Sequence, residues 1–140
     1  MRPLRLVRPS IVVALLSAPT HAHHSYAMFS STHRIVQGTV AKLEWGNPHV
    51  FVWLYVPRAG GRDSELYGFE SDSINLLRRQ GWTKSSLKPG EAVTLEFFPL
   101  RDGRNGGHLI KVARPDGTTL AGTPGPIMGI EASERTRATP

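Results

Sequence analysis

The 140-residue chain has no cysteine. This excludes a disulfide framework and a thiolate metal centre, so stability has to come from packing and any metal has to be held by His, Asp or Glu. The N-terminal apolar run, Ile11-Val12-Val13-Ala14-Leu15-Leu16, falls far short of the about 20 residues that a permanent membrane span requires. The chain also lacks a serine nucleophile elbow, a zinc-binding histidine pair at helical spacing and a phosphate-binding loop. With no complete catalytic constellation, it reads as a non-enzymatic binding or accessory protein.

What the N-terminus does contain is an export signal in the expected order. Arg2, Arg5 and Arg8 precede the apolar run, and Ser17-Ala18-Pro19-Thr20-His21-Ala22 follows it, with small residues at Thr20 and Ala22 flanking one position. The expectation is a cleavable signal over 1–22, cut after Ala22, and a mature chain in the periplasm or outside the cell. Removing those residues takes away three of the seventeen Lys and Arg and none of the eleven Asp and Glu. The net charge of +6 thereby falls to fourteen cations against eleven anions, or +3. Such a charge favours solubility and gives no nucleic-acid footprint. The remaining 118 of 140 residues suit one domain.

The mature chain is dominated by strand patterns. Arg34 to Trp45 is rich in β-formers, and His49 to Val56 alternates, with Val50, Val52, Leu54 and Val56 on one side and His49, Phe51, Trp53 and Tyr55 on the other. Between them Gly46-Asn47-Pro48 forms a turn, Pro48 lacking a ladder donor and Gly46 and Asn47 tolerating positive φ. A loop with Gly60-Gly61 leads to a third strand near Glu65 to Ser71, where Tyr67 and Phe69 share a face. Ser71-Asp72-Ser73 supplies N-cap candidates for a helix over Ile74 to Gln80, and Gly81 stands at its C-terminus. After Leu87-Lys88-Pro89-Gly90 a fourth strand runs from Ala92 to Pro99, with Val93, Leu95 and Phe97 alternating inward. A glycine-rich loop, Arg101 to Gly107, precedes a fifth strand over His108 to Ala113. Three strands, one short helix and two strands is the order of an OB-fold, a small five-stranded Greek-key barrel. The expected organisation is a signal over 1–22, an N-terminal segment over 23–33, a mostly β barrel domain over 34–120 and a flexible tail over 121–140.

Several blocks carry a resemblance as well as a pattern: His23-His24-Ser25-Tyr26-Ala27-Met28-Phe29, Gly38-Thr39-Val40, Glu44-Trp45-Gly46-Asn47-Pro48-His49-Val50, Leu77-Arg78-Arg79-Gln80-Gly81-Trp82, Ser86-Leu87-Lys88-Pro89-Gly90 and Pro99-Leu100-Arg101-Asp102-Gly103. Together they resemble the exported bacterial family catalogued as domain of unknown function 6152, from about His23 to Leu120. The resemblance implies a periplasmic or secreted protein of Gram-negative bacteria with no assigned activity, and it transfers no catalytic residue. Gly46 departs from the Thr expected there, and Ser71 to Ile74 stands where a more Gly-rich stretch is expected.

Two groups of residues are candidates for chemistry. Cleavage after Ala22 leaves His23-His24 at the new terminus, where the free amine and a ring nitrogen chelate Cu(II), with His49 or His108 as a further nitrogen. Cleavage after Thr20 puts His23 third from the amine, another copper-chelating arrangement, and two solvated terminal histidines are the plain alternative. The second group is the turn Trp45-Gly46-Asn47-Pro48-His49 with Trp53. Trp45 offers a stacking surface, Asn47 a donor and an acceptor, and His49 a switchable nitrogen. In an OB-fold this loop borders the ligand face. His49 and Trp53 are expected on one side of the second strand with Asn47 above them, holding an unidentified periplasmic partner or small ligand. The alternative is that Asn47 caps its own turn and Trp45 is core. Phe51, Trp53 and Tyr55 extend this group either as a platform beside Tyr67 and Phe69 that stacks flat ligands, or as a stripe covered by Tyr26, Met28 and Phe29 or by the helix. Glu44 and Glu70 are the carboxylates nearest in sequence. The cations Arg78, Arg79, Lys84, Lys88, Arg101 and Arg104 read either as solubilising charge or as an attractor of anions.

Overall fold

The computed structural model describes residues 26–122. The expected signal peptide, His23, His24 and nearly all of the expected tail lie outside them. A 3-10 turn at Tyr26–Met28 precedes strands β1 (Arg34–Glu44), β2 (Phe51–Pro57) and β3 (Ser64–Glu70), helix α1 (Ile74–Arg79), then β4 (Ala92–Pro99), β5 (Gly106–Ala113) and a short β6 (Thr119–Ala121). The expected five strands and helix are present. The sixth strand is an addition, pairing antiparallel with the end of β5 through Lys111 to Ala113. Thr119, Leu120 and Ala121 are too few to announce a strand in the sequence, and only the waiting edge of β5 makes them one.

The strands close into a five-stranded barrel. The sheet runs β3-β2-β1-β4-β5, and a parallel pairing of β3 with β5 joins its two ends. The eleven-residue β1 serves both halves, pairing with β4 through Arg34 to Thr39 and with β2 through Thr39 to Glu44. Register irregularities between Val40 and Lys42 in β1, and between Glu96 and Phe97 in β4, supply the local bends that closure requires. The joint is built from Gly106 and Gly107, which sit opposite Gly68 and Phe69. A side chain on Gly106 would run into the Gly68 carbonyl, and one on Gly107 into the Phe98 carbonyl.

The alternation in β2 and β4 sets the core. Val50, Val52, Leu54, Val93, Leu95 and Phe97 are all buried, as their spacing predicts, and Val40, Phe69, Leu109 and Val112 join them from β1, β3 and β5. Leu77 of α1, with Trp82 and Leu87 after it, completes the cluster. Ser73 is the N-cap of α1 but makes no side-chain cap bond, so packing is what holds this six-residue helix. Trp82 is buried, and its Nε1–H donates to the Ala121 carbonyl at 2.6 Å, fastening the post-helix loop to β6.

Candidate functional site

Because side chains alternate across a strand, burying Val52 and Leu54 turns Phe51, Trp53 and Tyr55 to the outside of the barrel. Register then decides their neighbours. Trp53 lies opposite Gly68, Leu54 opposite Tyr67 and Val52 opposite Phe69. Tyr67 and Phe69 therefore face the interior, stacked at 6.1 Å, which removes the platform alternative in which they stand beside the outer stripe. The outer face carries Leu66, Gly68 and Glu70 of β3 in their place, and Lys42 and Glu44 of β1 on the other flank.

Trp53 is the best-anchored member of this face. Its ring lies over Gly68, where an added Cβ would stand 2.8 Å from Cζ3, and it stacks on Phe51 with centroids 6.0 Å apart and planes at 24°. Nε1–H donates to Glu44 Oε2 at 3.0 Å, and Lys42 Nζ sits 5.5 Å from the ring centroid. The Lys42 ammonium, 2.8 Å from the same carboxylate, and the indole N–H hold Glu44 below the usual carboxylate range. Tyr55 and Leu66 continue the surface about half-exposed, at 50 % and 49 %. Tyr26 and Phe29 do not cover it. They pack against His108, with centroids 5.5 and 5.4 Å from its ring.

The turn before β2 distributes its residues differently. Trp45 is partly buried and packs against the core cluster, while Asn47 is exposed. The turn is made with a cis Asn47–Pro48 peptide, and neither Gly46 nor Asn47 takes a positive φ. His49 Nδ1 pairs with Glu70 Oε1, and Glu70 is the cross-strand neighbour of Phe51, so His49 stands at the upper end of the Trp53 stripe. Of the four residues singled out at this turn, His49 and Trp53 share a face, Asn47 flanks it and Trp45 supports it from within.

Glu70 is also the parallel register partner of His108. Tyr26 rests on His108, and burial, then Asp72 and Glu70, push its phenol up from the ordinary value. Asp72 Oδ2 and Ser71 Oγ are buried without a hydrogen-bond partner among the described residues. His49, Glu70, Asp72 and His108 thus belong to one end of the barrel, although no three of the described His, Asp or Glu residues form a ready metal cage. Among the described residues no helix is long and apolar enough to cross a membrane.

Sequence reasoning missed Lys42, Leu66 and Gly68. A lone glycine inside the strand Leu66-Tyr67-Gly68-Phe69 was the available signal, since such a glycine often marks a close approach, here of the Trp53 ring. A family model matches residues 11–110, from the apolar run near the N-terminus to the middle of β5, and its description is a family of unknown function (DUF6152). Neither a curated protein nor a solved structure matches the chain.

Proposed function

The chain belongs to the family of unknown function DUF6152, and we propose that it is an exported, non-enzymatic binding module that receives a flat ring, a sugar or a heteroaromatic group, on the outer face of β2 and β3. The carrying observation is the outer stripe of partly buried Phe51 and Trp53 continued by half-exposed Tyr55 and Leu66, with Trp53 fixed flat by Gly68, Glu44 and Lys42. In OB-type barrels this face and the adjoining loops are where ligands bind. A pre-set ring lowers the ordering cost of stacking. Lys42 is offset by Glu44 and Glu70 on the same face, which disfavours tracking a phosphate backbone.

The test is NMR titration of the protein, secreted with its native terminus, against a panel of oligosaccharides and nucleobases, following the Trp53 indole N–H. A stacked base loses about 1–3 kcal/mol when its aromatic partner is truncated, so Trp53→Ala should weaken binding by about 5- to 150-fold and leave the barrel folded. A ligand that saturates while the Trp53 signal stays still would move the site elsewhere.

A second reading, copper binding, draws on Tyr26 resting against His108 beside Glu70 and Asp72. His24 and His23 precede Tyr26 by two and three residues, a reach of about 7–10 Å of extended chain. Calorimetry with Cu(II) should show tighter binding to a chain starting at His23 than to one extended by a single residue, which turns the free amine into an amide. Equal affinities would dismiss this reading.

A further inference from the structure

Away from the outer stripe, the barrel carries a concavity of about 530 Å3 where β1 begins, β4 ends and the β4–β5 loop returns. Three cations border it, Arg34, Arg101 and Arg104, and its apolar lining includes Tyr67 and the buried Phe97. The size lies inside the range of about 300–1,000 Å3 typical of small-molecule sites. Arg78, Arg79, Lys84 and Lys88 do not line it, so the structure picks two cations out of the six that the sequence offered and adds a third from β1.

The loop that presents these arginines is held from several sides. The Arg101 backbone N–H donates to the Met28 carbonyl at 2.9 Å, Gly68 N–H donates to the Asn105 carbonyl at 3.3 Å, and Asn105 Nδ2 donates to Glu65 Oε2 at 3.3 Å. Arg101 Nε donates to the Phe29 carbonyl and Arg104 Nε to Asp102 Oδ2, each at 2.7 Å. Both guanidinium groups are thus oriented through a single donor, which leaves the rest of each five-donor fork for another acceptor. Asp102 offsets Arg104, and Arg34 makes no ion pair among the described residues. The concavity therefore combines oriented excess positive charge with an aromatic floor.

We propose that this concavity binds a small organic anion, a carboxylate or phosphate group carried on a flat apolar body. The arginines take the oxygens, for which guanidinium geometry is suited, and the body lies against Tyr67 and Phe97. This site is independent of the ring-binding face on β2 and β3.

Phenyl phosphate is the probe, titrated into the secreted protein and followed through the Nε–H signals of Arg101 and Arg104 and the amides of Gly103 and Asn105. The expected result is saturable binding, with inorganic phosphate weaker by about tenfold or more because it leaves the aromatic floor unused. Arg34→Gln with Arg104→Gln should weaken phenyl phosphate by about tenfold or more, whereas Arg78→Gln with Arg79→Gln should change nothing. If the glutamine pair fails to fold, Arg34→Lys with Arg104→Lys keeps the charge, removes the fork and should still weaken binding. Absence of saturation up to about 10 mM, equal weakening by the Arg78 and Arg79 pair, or inorganic phosphate binding as tightly as phenyl phosphate would each overturn the proposal.

Discussion

Gly68→Ala tests the geometry of the Trp53 face, because all three atoms nearest to the added methyl belong to the Trp53 ring, at 2.8 to 3.2 Å. Gly68 does not have a positive φ, so the obstruction to be relieved is the Trp53 ring, which has to move. Lifting it weakens the Phe51 stack, worth about 0.5–1.5 kcal/mol. It also weakens the Lys42 contact, about 0.5–1 kcal/mol, and loosens the solvent-exposed hydrogen bond to Glu44. Against these losses, alanine in a strand gains about 0.5–1 kcal/mol over glycine. The balance is a destabilisation of about 1 kcal/mol, or a Tm lower by about 4–8 °C for a domain of this size. In a Trp53→Ala background the obstruction is gone and only the strand preference remains, so the same substitution should raise stability by about 0.5–1 kcal/mol. Thermal melts of the four proteins in this cycle measure both signs, with the Trp53 indole signal followed by NMR in the two that keep the ring. An equal cost in both backgrounds, or a stable Gly68→Ala protein with an unmoved indole signal, would refute the placement of the ring.

Leu77→Ala should cost about 2–5 kcal/mol, because the side chain is fully buried and the helix bearing it has no side-chain cap; a loss below about 1 kcal/mol in urea unfolding would show that α1 is held otherwise. Glu44 titrates below the usual carboxylate range, so its stabilising effect is present above its unfolded value and is lost as pH falls through the lowered one. The Trp53 indole shift should report that low midpoint, Lys42→Met should raise it, and a midpoint at the ordinary value would contradict the Lys42–Glu44–Trp53 arrangement. Tyr26 behaves with the opposite sign: its raised phenol contributes stability below the ordinary tyrosine value and loses it as pH rises through the raised one. Glu70→Gln should bring the Tyr26 ring titration partly back, burial being the larger cause, and no change would remove Glu70 from its surroundings.

The barrel was legible because its strongest signals are local. The alternation of Val50, Val52 and Leu54 against Phe51, Trp53 and Tyr55 needs no knowledge of partners, and β4 begins and ends where Ala92 and Pro99 suggest. Who lies beside whom is a matter of register, and the six-residue loop from Arg58 to Asp63 does not announce it. This is why the sequence leaves open whether Tyr67 and Phe69 lie beside Trp53, and the register puts them on the opposite face. The docking of Tyr26 and Phe29 onto His108, and of Arg34 beside Arg101 and Arg104, joins segments about seventy to eighty residues apart in the chain, which no window of sequence contains. The role of Trp45 shows the same limit: an indole beside a turn is equally suited to a ligand or to the core, and the packed neighbours decide.

The glycine joint between β3 and β5 partitions the molecule's capacity for divergence. At Gly106 and Gly107 the backbones approach too closely for any side chain, so selection can preserve those two positions but cannot explore them. Just upstream, Arg101 to Asn105 is suspended between Leu100, bridged to Phe29, and Gly106, already locked into the wall. Main-chain bonds from Arg101 to Met28 and from Gly68 to Asn105 hold both ends of that loop whatever side chains they carry, and Gly103 keeps its φ of 80°, so Asp102 and Arg104 are the positions where the charge the loop shows can be rewritten while the shell stays shut.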